Sequence, residues 1–253
     1  MPATKLDTAQ LFGNFQSELS KMFSSFTPSQ RRLLSVTMQP LKLPTFPNLP
    51  AGFDYIGLMG NSHVTLARHG WFISIVLTPV ETSFSAESCF LSGQIDKGNQ
   101  MMVGHYRELL DEIQADAQAS FPLRRTILKK AFDAHRRKEY ELSIPVMLIQ
   151  ADGIGEDIFG KDTSPTSRTT DNIKKRKEFV EGKLDPAAKK TLGAYFLMIV
   201  SMLPINAGKK ERVEFTSPLL NRHLVLHGID TDYATEINAL KAVSWLQYIV
   251  SLK

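Results

Sequence analysis

One cysteine, Cys89, is all the thiol chemistry in the chain, so no internal disulfide can form and no cysteine-based zinc site can be built. Charge of one sign is not in excess either. Thirty Lys and Arg against 26 Asp and Glu leave a net +4, too little to assign a partner from overall charge. The longest apolar runs are Trp71 to Leu77 and Ala194 to Ile205, the second broken by Ser201 and Pro204. Both fall well short of the roughly 20 apolar residues that a membrane-spanning helix needs. The opening MPATKLDTAQ lacks the basic start and apolar stretch of a secretory signal, and no glycine-rich phosphate loop or internal repeat is visible. The expectation is a cytoplasmic protein with no membrane partner. What is present is ordinary for a globular chain: 43% hydrophobic and 22% charged residues over 253 positions, enough for one large domain or two small ones.

Helical periodicity dominates. Leu11, Phe15, Leu19, Met22 and Phe26 recur at helical spacing, and Thr27-Pro28 with Gln30 reads as a capping box opening a second helix. Four prolines from Pro40 to Pro50 then impose an extended connection. Between residues 51 and 100 the pattern is mixed. Asn61 to His69 suits a helix, whereas Trp71 to Leu77 suits a strand or a buried helix segment. Tyr106, Leu109, Leu110, Ile113 and Ala117 mark another helix, and Pro122 to about Lys138 the next. Ser143 caps an apolar segment through Val146 to Ile149, which Asp152-Gly153 is expected to close. Lys161 to Asn172 is a polar loop, Asp185-Pro186 starts a helix with Leu192, Tyr195, Phe196, Ile199 and Leu203 on its apolar face, and Ser217-Pro218 starts another that Gly228 ends. A last helix begins near Thr231 or Asp232 and runs through Ile237, Leu240, Ser244 and Tyr248. The expected fold class is all-α, with a small irregular or β insert around 51–100. Residues 1–100 form an N-terminal helical or irregular region and 101–253 a helical domain, or the two are continuous.

The short helix after Ser217 carries the chain's most suggestive chemistry: Asn221-Arg222-His223-Leu224-Val225-Leu226-His227. A guanidinium can grip phosphate oxygens with paired donors, and an imidazole can move a proton near neutrality. Arg222, four intervening residues and His227 match the motif of the HEPN ribonucleases, with His223 as the polar residue after the arginine. The stretch LNRHLVLHGIDTDYATEINALKAVSWLQYI resembles the tails of bacterial HEPN-like proteins linked to abortive infection or toxin roles. The resemblance implies a C-terminal helical bundle and metal-independent cleavage of RNA to 2′,3′-cyclic phosphate and 5′-OH ends, with no cofactor. It further implies Arg222 and His227 as catalytic residues, a homodimer, and an antitoxin or defence-system partner. Asn221 and His223 are expected to orient substrate or support the site.

Other readings stand beside this one. Positions 222 and 227 lie about 140° apart on an ideal helix, so the two side chains do not stack on one face. Arg222 can instead pair with Asp230, Asp232 or Glu236, and His227 suits a helix C-terminus. His223 and His227 share a face as zinc-binding histidines do, although Leu224 stands where a metalloprotease has its glutamate. Asp152, Glu156 and Asp157 are either site carboxylates or an acidic cap, and His135 reads as a surface residue. Arg125, Lys129 and Arg136 form a basic stripe expected to bind RNA, and Lys174 to Lys177 a second basic run; either alone also describes a solvated helix face. A helical protein that binds a partner or nucleic acid without cutting it fits the same residues.

Overall fold

Trp71 to Ser74 is the stretch on which the packing turns, and it forms neither strand nor helix. In the computed structural model, which describes residues 55–74, 77–183, 195, 198–215 and 219–253 (backbone alone at 55–61 and 80), this segment is irregular and buried. Its backbone groups are satisfied by side chains and by the end of the preceding helix instead of a ladder. Phe72 N–H donates to Ser244 Oγ at 3.2 Å, Phe72 C=O accepts from the Tyr106 hydroxyl, and Trp71 N–H donates to Leu66 C=O at 2.9 Å. A buried segment with its polar groups paired in this way needs no neighbouring strand. Among the described residues no strand occurs, and the chain is mostly helical.

Eight α-helices are described: α1 (Tyr55–Arg68), α2 (Val80–Leu91), α3 (Ile95–Ser120), α4 (Arg125–Arg136), α5 (Tyr140–Phe159), α6 (Thr170–Lys183), α7 (Arg222–Leu226) and α8 (Glu236–Val250). Residues Ile56–Lys253 form one compact unit. The helix α8 is buried without a break from Ala239 to Val250, as expected of a helix enclosed by neighbours on all sides. It packs against α3 and α5, while α4 packs between α3 and α5, and α2 lies on α3. Phe72 meets Trp245 edge-on at 4.6 Å between ring centroids, and Trp71 stacks on Tyr106 at 5.7 Å. Arg107 of α3 clamps the first turn of α8 through two hydrogen bonds to Glu236, at 2.7 and 2.6 Å.

Several expectations are corrected here. The helix α5 neither begins at Ser143 nor closes at Gly153; it runs from Tyr140 to Phe159 and is capped by Gly160 at φ +99°. Pro145 therefore sits in the helix interior, where it supplies no N–H to the carbonyl of Glu141. The Tyr233 hydroxyl donates to that carbonyl at 3.1 Å instead, tying α5 to the connection before α8. Gly153 and Gly155 are small because neighbours press on them. A Cβ at Gly153 would sit 2.6 Å from Arg124 Nη1, and one at Gly155 would sit 2.5 Å from Pro165 Cδ. His135 is buried, not on the surface, and burial lowers its pKa below the ordinary histidine value. The helix α6 begins within the expected Lys161–Asn172 loop, and α8 begins at Glu236 after an N-cap by Thr235. The patterns at Leu11–Phe26, Thr27–Gln30, Pro40–Pro50, Asp185-Pro186 and Ser217-Pro218, with Leu192 and Phe196, lie outside the described residues.

The glycines give a test of this packing. Gly104 in α3 has nothing within 4 Å of a Cβ, so Gly104→Ala should stabilise the fold by about 0.5–1 kcal/mol. Gly155→Ala should instead lose about 1–3 kcal/mol, because the proline ring it meets cannot swing away. Gly153→Ala should fall between, since the Arg124 guanidinium can move at the cost of its bonds to Asp157 and Gln150. Denaturant unfolding measures all three; a Gly155→Ala protein as stable as Gly104→Ala would mean that Pro165 does not press on α5.

Candidate functional site

Five residues make a helix too short to stand alone, so α7 must be held from outside. Asn221 does most of this. Its side-chain oxygen caps the helix by accepting from Leu224 N–H at 3.1 Å, and its amide donates to the carbonyls of Pro204 and Ala207 at 2.6 and 3.0 Å. Asn221 is thus buried and fully used in structure as the N-cap of α7. At the other end Gly228 adopts φ +65°, and the N–H groups of Gly228 and Ile229 return to Val225 and Leu224 C=O at 3.1 and 2.9 Å. This pair of bonds is a Schellman motif, which glycine in the left-handed region permits.

The third anchor is an ion pair. Arg222 Nη2 lies 2.5 Å from Asp152 Oδ2 on α5, close enough for an ion pair but not aligned as a hydrogen bond. Asp152 is 14% exposed at its side chain and Arg222 32%. The other carboxylate oxygen accepts from Ser164 Oγ at 3.2 Å and Thr166 Oγ1 at 3.0 Å. Burial holds the Asp152 carboxyl above its ordinary value, outweighing the opposing pull of Arg222, Thr166 and Ser164. The loop bearing those hydroxyls is pinned in turn by Arg176, whose buried guanidinium donates to the carbonyls of Ile199, Ser164 and Ser167 at 2.9, 2.5 and 2.7 Å. Arg176 has therefore left the basic run 174–177; Lys174 and Lys175 pair with Glu178 and Asp171.

The structure brings His223 and His227 together, with ring centroids 4.2 Å apart and both residues exposed. Partial loss of solvation, followed by the positive charges of His227, Arg212 and Arg222, holds His223 below the ordinary histidine value. Arg222 turns to α5 and makes no described contact with His227. Its partner is none of Asp230, Asp232 or Glu236. Arg125, Lys129 and Arg136 stand apart on exposed positions of α4. Lys129 pairs with Asp133 at 2.7 Å, and Arg136 pairs with Asp111 and, at 3.7 Å, with Asp133. Among the described residues no three His, Cys, Asp or Glu side chains are placed to hold a metal ion, and no helix is long and apolar enough to cross a membrane.

The residues gathered here are thus Asp152, Arg212, Arg222, His223 and His227. Asp152 was visible in sequence only as one of three acids, and no sequence pattern singled out Arg212. No protein-family model, curated protein or solved structure matches the chain.

Asp152 separates charge from hydrogen bonding. Since burial outweighs Arg222 at this carboxyl, Asp152→Asn should stay within about 1 kcal/mol of the parent, whereas Asp152→Ala should cost about 2–4 kcal/mol by stranding Ser164, Thr166 and Arg222. The folded protein holds this proton more tightly than the unfolded chain. The group's contribution to stability therefore falls as pH rises from the ordinary 3.8 through the raised folded value, and Asp152→Asn removes that part of the slope. Equal destabilisation by Asn and Ala would mean that the charge itself holds α7.

Proposed function

We propose that the chain is a metal-independent endoribonuclease of the HEPN type, acting in the cytoplasm as a homodimer, in the role of a toxin or phage-defence effector. The observation that carries this reading is the pair of exposed imidazoles, 4.2 Å apart, on a helix whose first residue is Arg222. Two histidines side by side supply both halves of acid–base catalysis. His223, held below the ordinary histidine value, takes the proton of the ribose 2′-OH. The 2′ oxygen then bonds to phosphorus, the bond to the 5′ oxygen breaks, and His227 returns a proton to that leaving oxygen. The products are a 2′,3′-cyclic phosphate and a 5′-OH. Arg222, with a third of its side chain exposed, stabilises the phosphate oxygens as charge builds on them. Asp152 keeps the guanidinium in place. An antitoxin or defence-system protein is the partner that such an activity calls for.

A second reading has an observation of its own. Arg222 is already committed to a carboxylate, which favours a helical protein that binds nucleic acid or a partner without cutting it.

Cleavage of an RNA panel in EDTA decides between them. His227→Ala and His223→Ala should each lose at least about 100-fold in rate, the usual scale of a lost general acid or base. The ends should be cyclic phosphates, and the acid limb of the pH–rate profile should lie below the ordinary histidine value of 6.5, because the base titrates low. Full activity in His227→Ala, or a strict need for Mg²⁺, would overturn the catalytic reading.

A further inference from the structure

Cations are spread through the chain, and two of the three in the expected RNA-binding stripe, Lys129 and Arg136, are already paired, while Arg125 has no ion-pair partner among the described residues. Lys129, Arg136 and Arg137 pair with Asp133, Asp111 and Glu139, and Lys174 and Lys175 with Glu178 and Asp171. A cation that has a carboxylate partner releases few counterions on meeting a phosphate chain. The 3₁₀ turn Glu211–Glu214 and the residues before it differ in this respect. Lys209 and Lys210 are exposed, Arg212 is half-exposed, and none of the three has an ion-pair partner among the described residues.

The same segment is tied to the histidine pair. Ala207 C=O accepts from Asn221, the cap of α7, so Lys209 follows two residues after a point fixed to that helix. The charge of Arg212 reaches His223 strongly enough to count among the causes of its lowered pKa. Two acids share the turn. Glu211 folds back over Gly208, with Oε2 2.6 Å from where a Cβ would stand, and Glu214 lies at the far end of the turn. The three cations are therefore accessible to solvent on a segment anchored through Ala207 to the cap of α7, and the charge of Arg212 acts on His223.

We infer that Lys209, Lys210 and Arg212 form the track that holds the phosphates of a single-stranded RNA next to the scissile one. This rests on the reading of the Arg222–His223–His227 surface as an RNA-cleaving site. Unpaired bases leave a strand free to bend across a short turn, and backbone contacts of this kind hold it without reading sequence.

The test uses the full-length His227→Ala protein, a fluorescein-labelled single-stranded RNA 12-mer and anisotropy titrations across 50–300 mM KCl. Adding Lys209→Ala, Lys210→Ala and Arg212→Ala should weaken binding at low salt by at least about tenfold and flatten the log–log salt slope by about 2, at roughly 0.7 per lost contact. The triple replacement Arg125→Ala, Lys129→Ala and Arg136→Ala should change the slope by less than half as much. Swapping the charges conservatively (K209R, K210R, R212K) should restore the slope, which a merely damaged turn would not allow. RNA still bound with an unchanged slope overturns the track and leaves the cleavage reading standing, provided that the parent chain cuts RNA. Tighter binding to an acidic peptide or to anionic vesicles than to RNA overturns the track as an RNA surface. Absence of RNA binding in the His227→Ala parent overturns both.

Discussion

Burial of α8 on every side is the constraint from which the rest of the structure follows. A helix enclosed from Ala239 to Val250 needs neighbours all round it, and α3, α5 and the irregular Trp71–Ser74 segment supply them. Burying its polar residues is costly unless they find partners inside the protein. Ser244 does so by accepting from Phe72 N–H and donating to Lys241 C=O. Lys241 lays its ammonium over the Trp71 ring, 5.6 Å from the centroid, and burial pushes its pKa down to about 8. That lysine stem also packs on Gly70, where any side chain would crowd it. The apolar run at 71–74 is thus a wedge between helices.

From α8 the structure passes through α5 to the candidate site. One side of α5 touches α8 and another touches α7. Three departures from regular helix sequence adapt α5 to that position. Pro145 frees a carbonyl for Tyr233, Gly153 admits the Arg124 guanidinium, and Gly155 admits Pro165. Between the glycines' loop contacts and α7, Asp152 joins two groups far apart in the chain: the hydroxyls of Ser164 and Thr166 on one oxygen and Arg222 on the other. Arg176 completes the arrangement by fixing the loop that carries those hydroxyls. The orientation of α7, and with it of His223 and His227, rests on these few bonds rather than on helix propensity.

Runs of basic residues divide into three uses. Arg176 is internal, donating to three backbone carbonyls. Those on α4 and α6 are balanced in part, Lys129, Arg136, Lys174 and Lys175 pairing with acids one turn away or on a neighbouring helix, as on many solvated helices. Only the smaller group at 209–212 is both unpaired among the described residues and tied to the histidine helix. A density of Lys and Arg in sequence therefore says little until their partners are known.

Helical periodicity by itself determined the fold class, the existence of α3, α4 and α8, and the glycine stop of α7 at Gly228, because these depend on which side of one segment is apolar and on local backbone geometry. The spacing of His223 and His227 likewise settled that the two rings share a face. Other matters needed the tertiary structure. Whether Gly153 ends a helix or makes room for a neighbour depends on Arg124, twenty-nine positions earlier. Whether His135 is exposed depends on what packs over α4. The partner of Arg222 is Asp152, seventy positions away, rather than any acid within reach along the chain. Periodicity reports the apolar face of a single element, whereas ion pairs, glycine contacts and buried hydroxyls are decided by which elements meet, and that is a property of the folded chain alone.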